Sequence, residues 1–300
     1  MPHFTDAELL IYWVFRFMSQ KIYLGLAQWH HRKWYPNSAS SSQSLPRYSH
    51  SFSSVEGNSS FYALPSENNL RLWDEITPDH FKFCFKFPKE ISHKQSLTYC
   101  SRQVSEFLNR ICVLSEKLGI IWLQLDPGFG ASNLSLLNHF LRQLPTEFSY
   151  AVEVRNLDFF RKDEIEKQFN QLLFSYNINR VIFDTRSLFA NAANPDRATL
   201  QALKAKPKVP THVLHTSDQP FVRIIVPMNR ELAQKQIEQW VAKAAVWIEG
   251  GLTPYMFFHT PDNVLAPEFA RYFSQLLALK CPEIALIQLW DRDQKQAVLF

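Results

Sequence analysis

Apolar residues in this chain follow two rhythms: short runs in which every second position is apolar, and longer runs with a helical period of three to four. Val152-Glu153-Val154-Arg155 belongs to the first kind, with a carboxylate and a guanidinium at alternate positions. Similar runs are Val55-Glu56-Gly57-Asn58, Phe81 to Phe87 with Lys86 near its end, and Val181-Ile182-Phe183-Asp184. Strands are predicted over Lys21 to Ala27, Ser54 to Asn58, His80 to Phe87, Ile120 to Gln124, Tyr150 to Arg155, Asn179 to Asp184, Phe221 to Val226 and Pro254 to His259. Helical periodicity covers Leu45 to Phe52, Asn68 to Ile76, Ser101 to Leu118, Leu134 to Leu144, Lys162 to Phe174, Glu231 to Ile248 and Pro267 to Leu279. Gly119 is expected to close the Ser101 helix as a C-terminal glycine. The connection over residues 185–220, punctuated by Asn191, Asn194, Pro195, Pro207 and Pro210, holds a short helix near Ala198 to Ala205.

Strands alternating with helices predict parallel strands wrapped by helices, here a single TIM-like (β/α)8 barrel of the α/β class. Parallel strands covered on both faces should be apolar throughout. Polar residues near their C-terminal ends therefore predict a polar pocket at the C-terminal mouth. With Val55, Val152 and Val154 facing the helices, Glu56, Asn58, Glu153 and Arg155 face the barrel interior. Alternation puts Lys86 on the face of Cys84 and sends Phe81, Phe83, Phe85 and Phe87 outward. Gln124, Asp184, Arg223 and His259 are placed inward as well.

Composition changes this picture little. A hydrophobic fraction of 46% with 20% charged residues suits a chain of 300 residues with a large core, and its many aromatic rings belong mostly to that core. The net charge of +4 permits an anionic ligand without demanding nucleic acid. Cys84, Cys100, Cys112 and Cys281 form no CxxC pair and are read as free thiols of a reducing, cytoplasmic compartment. No run is long enough to span a membrane. Residues 1–20 are expected to be an N-terminal extension outside the fold, and 21–300 the barrel domain. Leu9 to Phe15 is apolar, but Asp6 and Glu8 precede it without a basic region, unlike a signal peptide, and Met18 stands just before the first strand.

Several motifs carry a resemblance: Gly25-Leu26-Ala27-Gln28-Trp29, Glu56-Gly57-Asn58-Ser59-Ser60-Phe61-Tyr62, Phe83-Cys84-Phe85-Lys86-Phe87-Pro88 and Ile91-Ser92-His93. Trp122-Leu123-Gln124-Leu125, Val152-Glu153-Val154-Arg155 and Phe258-His259-Thr260-Pro261-Asp262-Asn263 extend it. In order and spacing these resemble the YecE-like family over roughly residues 21–290. That resemblance implies a TIM-type barrel and no established activity. Trp29, Tyr62, His93 and Asp262 join the candidate site as substrate-binding residues. Many relatives carry RxHG at the seventh strand, where this chain reads Arg223-Ile224-Ile225-Val226, so no histidine role is carried over there.

Three chemistries fit these residues, and an ion-pair network that only satisfies itself would explain them too. In the first, Glu56, Glu153, Asp184 and His259, with His93, hold a divalent metal. In the second, Lys86, Arg155 and Arg223 grip an anionic group while Glu56 or Glu153 acts as general acid or base. A variant makes Lys86 a Schiff-base nucleophile. The third is a non-catalytic binder of an anionic metabolite or nucleic acid, with Lys204, Lys206, Lys208 and His30 to Lys33 meeting phosphates and Trp29, Trp34, Phe61 and Tyr62 stacking on bases. The reading adopted is an enzyme of the hydrolase, lyase or isomerase kind acting on a small anionic or phosphorylated substrate. Glu56, Glu153, Lys86 and Asp184 are its expected catalytic residues. Asn58, Gln124, Arg155, Arg223 and His259 bind substrate.

Overall fold

The computed structural model describes residues 21–35, 43–190 and 195–290. The expected extension over residues 1–20, most of the Ser-rich loop, and Asn191 and Asn194 lie outside the described residues. Strands β1 (Tyr23–Leu26), β2 (Ser54–Gly57), β3 (Lys82–Lys86), β4 (Leu118–Gln124) and β5 (Tyr150–Glu153) come first. β6 (Asn179–Arg180), β7 (Ile182–Asp184), β8 (Phe221–Ile225) and β9 (Tyr255–His259) follow. They form one parallel sheet in the order β6-β5-β4-β3-β2-β1-β9-β8-β7, curled into a nearly closed barrel. The expected sixth strand is thus two strands with a change of partner at Val181. β6 pairs with β5, β7 pairs with β8, and among the described residues no ladder joins β5 to β7.

Helices α1 (Ser44–Ser51), α2 (Glu67–Ile76), α3 (Ser101–Ile111), α4 (Leu134–Arg142), α5 (Glu164–Ser175), α6 (Arg186–Ala190), α7 (Arg197–Ala205), α8 (Arg230–Glu249) and α9 (Ala266–Ala278) connect the strands. Ser66, Asp163, Asp196 and Asn229 cap α2, α5, α7 and α8 by accepting backbone N–H bonds, as short polar side chains at helix starts do. α3 is shorter than its periodicity predicts. It ends at Ile111, and a tight 3-10 stretch over Cys112–Lys117 delivers the chain into β4. Gly119 therefore lies within β4, where an added Cβ would come 3.0 Å from the Cys84 sulfur. Buried Lys117 fixes the turn by donating to the carbonyls of Asp74 and Thr77. Among the described residues no helix is long and apolar enough to cross a membrane.

The strand alternation appears as two separate cores. Leu24, Leu26, Val55, Phe83, Phe85, Ile121, Leu123, Val152, Ile182, Val222, Met256 and Phe258 pack outward, in one cluster with helical residues such as Ile111, Leu137, Phe169, Trp240 and Phe273. Cys84, Ile120, Trp122, Ala151, Val181, Phe221, Tyr255 and Phe257 fill the lower interior. Gly25 faces this interior at a crowded point. A Cβ there would lie 2.4 Å from the Ser54 carbonyl oxygen and 2.9 Å from the Phe257 ring. Backbone cannot give way as a flexible side chain can, so Gly25→Ala is expected to cost about 2–3 kcal/mol of stability, read by chemical denaturation. An unchanged midpoint would count against this tight β1–β2 contact.

Candidate functional site

Above the apolar layer, the C-terminal ends of six strands send polar side chains inward, and these meet across the barrel. Arg223 of β8 is the hub. Its Nε and Nη2 fork onto the Glu56 carboxylate of β2 at 3.1 and 2.6 Å, and its Nη1 donates to Glu153 of β5. Hydrogen bonds between strands that are not neighbours in the sheet require all three side chains to point inward. The guanidinium lies 5.7 Å from the Trp122 ring and 4.7 Å from the Phe183 ring, two aromatic surfaces that suit a buried cation.

From this hub the hydrogen bonds run round the mouth. His259 of β9 meets Glu56 Oε2 at 2.8 Å, and Asn58 Nδ2 donates to Glu56 Oε1 at 2.7 Å. Glu153 Oε1 accepts from Arg155 Nε at 2.8 Å. Gln124 Oε1, at the end of β4, accepts from both Arg155 Nη2 and Lys86 Nζ at 2.7 Å. Lys86 ends β3, and its Nζ stands 3.7 Å from the centroid of the Phe61 ring. Glu56 and Glu153 are each only 1% exposed and Arg223 4%, so these charges interact largely out of water.

This setting separates the roles of the groups. Burial pushes both carboxyls up, but for Glu56 the Arg223 guanidinium and His259 outweigh it and hold it well below the usual range. For Glu153 the balance of burial against Arg223, Arg155 and Lys86 gives a value of about 2. Both stay ionised at neutral pH. Burial lowers His259, and Arg223 and Lys206 add to this, so the neutral ring donates its Nε2–H to Glu56, which as a carboxylate can only accept. Lys86 is the exception. Burial, helped by Arg223 and Arg155 and opposed chiefly by Glu153, brings its ammonium down to about 7.

Several expected site residues lie elsewhere. Asp184, placed inward by the sequence reading, points outward into the helix layer. Its carboxylate accepts from Gln236 Nε2 at 3.0 Å and Trp240 Nε1 at 2.8 Å of α8, and from Arg186 and Thr211. The reason is the phase of the sixth strand segment: Arg180 bonds outward to Glu166, so Val181 and Phe183 take the interior and Ile182 and Asp184 the outer face. Trp29 packs on Trp73 and on outward-facing Phe83, with centroids 4.9 and 6.5 Å away, so it caps the helix layer instead of the mouth. Tyr62 is 82% exposed and touches Phe61 edge-on. Asp262 braces its own turn by accepting from the Val264 N–H. His93 stands one step back from the mouth, with its ring edge-on to Phe61 at 5.1 Å.

One cation comes from the row of spaced lysines that the third reading sets against phosphates. Lys206, just after α7, reaches toward the mouth, 6.0 Å from the same Phe183 ring that Arg223 covers. Burial, then Arg223, lowers it to about 8, with Glu56 and Glu153 pulling the other way. Its neighbours Lys204 and Lys208 are exposed. The metal reading does not suit this geometry. The oxygens of Glu56 are committed to Arg223 and those of Glu153 to Arg223 and Arg155, Asp184 faces away, and among the described residues no group of three or more His, Cys, Asp or Glu is arranged to hold an ion.

Known proteins share this framework. Residues 23–294 match the sequence profile described as "Protein of unknown function DUF72". The chain is 43% identical to the UPF0759 protein YecE of Escherichia coli K12 over 271 residues, covering 89% of this chain and 96% of that protein. It is 28% identical to the UPF0759 protein YunF of Bacillus subtilis over 148 residues, 46% of this chain and 52% of that one. Among solved structures, a DUF72 family protein from Thermotoga maritima superposes with a TM-score of 0.66 at 20% identity, covering 85% of this chain and 98% of that one. One from Enterococcus faecalis gives 0.61 at 20% identity, covering 87% and 97%. Their likeness is one of fold.

Proposed function

The chain belongs to the DUF72 family of proteins of unknown function, and on that premise we propose that it is an enzyme acting on a small anionic substrate by acid/base chemistry at the C-terminal mouth of its barrel. One observation carries this reading: the mouth holds more positive charge than its own carboxylates use. Glu56 and Glu153 are both committed to Arg223. Among the described residues, Arg155 Nη1 makes no hydrogen bond and neither Lys86 nor Lys206 has an ion-pair partner. An incoming phosphate or carboxylate would satisfy these donors with charge-assisted hydrogen bonds in a setting poor in water. A closed ion-pair network would leave no such surplus.

In this reading the two glutamates hold Arg223 and Arg155 in place and do not exchange protons near neutrality. Lys86 is the group suited to proton transfer, since general acid/base catalysis is most efficient with a group that titrates near the working pH. Arg155 and Lys206 would grip the anion, and Gln124 and Asn58 would orient their neighbours.

The test is titration calorimetry with sulfate, whose own charge is constant across the range used. Lys86 and Lys206 lose their protons as pH rises through about 7 and about 8. Sulfate affinity is therefore expected to fall by about ten-fold or more between about pH 6 and about pH 9. Arg155→Gln should weaken it at every pH. Wild-type protein that binds no sulfate at low ionic strength would end the proposal.

A further inference from the structure

Three other well-buried cations have carboxylate partners. Arg223 has Glu56 and Glu153, Arg180 has Glu166 at 2.8 Å, and Lys117 has Asp74 at 3.3 Å. Lys86 is 7% exposed, and among the described residues no carboxylate lies within ion-pairing distance of it. The one hydrogen bond of its Nζ goes to the neutral Gln124 Oε1, an oxygen it shares with Arg155. Its other neighbour is the face of Phe61.

Counting donors decides which form this environment suits. An ammonium carries three N–H groups and would leave one without a partner in a desolvated site. A neutral amine has two N–H groups and a lone pair. One N–H meets Gln124 Oε1, the other meets the Phe61 face, and the lone pair is left over. The cation–π contact favours the ammonium by about 0.5–2 kcal/mol, less than the several kcal/mol that burying an unpaired ion costs. The charged groups around it agree: Arg223 and Arg155 disfavour the ammonium, while Glu153 and Glu56 only partly offset burial.

We infer that Lys86 is a covalent site, whose amine condenses with the carbonyl of a small anionic aldehyde or oxo acid to form an imine while Arg155 and Lys206 hold the anionic group. This rests on the anion-site reading above and adds the substrate class to it. The Nζ lone pair forms the C–N bond as the carbonyl π pair moves onto oxygen, beside the guanidinium groups that stabilise the developing negative charge. Both amine hydrogens then leave with that oxygen as one water, and the C=N bond closes. Nothing is oxidised or reduced. The imine withdraws electrons from the adjacent carbon, which suits lyase or isomerase chemistry next to a carbonyl.

The experiment is reductive trapping of the wild-type protein with glycolaldehyde phosphate and cyanoborohydride at neutral pH, with labelling of each lysine read by peptide mass spectrometry. Lys94 and Lys167, whose side chains are 66% and 62% exposed, are internal references. Lys86 should be alkylated about ten-fold or more faster than either, because far more of it is unprotonated at that pH. Excess sulfate should suppress this labelling and leave the references unchanged. Lys86→Met should keep only reference-level labelling. Sulfate binding in calorimetry without preferred labelling of Lys86 overturns the imine and leaves the anion site standing. Loss of both overturns the two together. The wild-type map needs no variant to fold.

Discussion

Replacing Arg223 with methionine is expected to lower stability by about 3–5 kcal/mol at neutral pH, because it leaves two buried carboxylates without their shared counter-ion. The side chain that remains would still fill much of the space between Trp122 and Phe183, so the loss would be electrostatic more than a matter of packing. The pH dependence separates the two causes. In the native protein Glu56 and Glu153 lie below their unfolded values, so their contribution is present above the unfolded carboxyl range and is lost only as pH falls toward about 2 for Glu153. Without Arg223, burial dominates and raises both. The variant's deficit should therefore be largest at neutral pH and shrink toward about pH 4, where the orphaned carboxyls take up protons. Guanidinium titrations at both pH values measure this. A deficit that does not change with pH would assign the loss to packing and remove Arg223 from the centre of the electrostatic network.

Asp184→Asn is expected to cost about 2–4 kcal/mol while leaving sulfate binding unchanged. Every partner of this carboxylate is a donor: the Arg186 backbone and guanidinium, Thr211 Oγ1, Gln236 Nε2 and Trp240 Nε1. An amide would turn one acceptor into a donor facing other donors, and a buried donor without an acceptor costs about 1–3 kcal/mol. The exposed Arg186 side chain adds less to the total, since water already screens it. If the substitution instead abolished sulfate binding and left stability intact, Asp184 would belong to the site after all.

Asp184 also marks where the sequence ran out. The strands at Val55, Phe81 and Val152 read clearly because period-two alternation set an apolar face against a more polar one, as in Val152-Glu153-Val154-Arg155. Those strands, with Gln124, Arg223 and His259 from three more, bring Glu56, Lys86, Glu153 and Arg155 to one mouth. Val181-Ile182-Phe183 is apolar on both faces, so the alternation that puts Asp184 inward has no polar position to fix its phase. The phase could have come from Arg180, whose ion pair with Glu166 puts it on the outer side, but that pairing depends on how α5 packs. Lys206 stands in the sequence only as one of three spaced lysines, for a related reason. Its position follows from α7 resting Ala202 and Leu203 on Phe183 and Ile225, a contact no local pattern announces. The helix after residue 101 was read too long because Val113 and Leu114 continue the apolar rhythm through a turn of another geometry. The imine chemistry depends on a missing partner for Lys86, and a sequence cannot show an absence of that kind.

The change of partner at Val181 gives the barrel a mechanical property. A hoop closed by ladders on every side resists any change in girth with all its hydrogen bonds at once. This one is stitched low on one side, where β6 pairs with β5 and the Val181 N–H meets the Val152 carbonyl at 2.9 Å, but above that point no ladder among the described residues joins β5 to β7 beside Glu153 and Phe183. Above Val181 its rim can widen or narrow by bending strands, with no β5–β7 ladder bond to break. That compliance lies next to the carboxylate that holds Arg155. Guests of somewhat different size could thus be accommodated by spreading the lip, while the aromatic floor beneath Arg223 stays rigid.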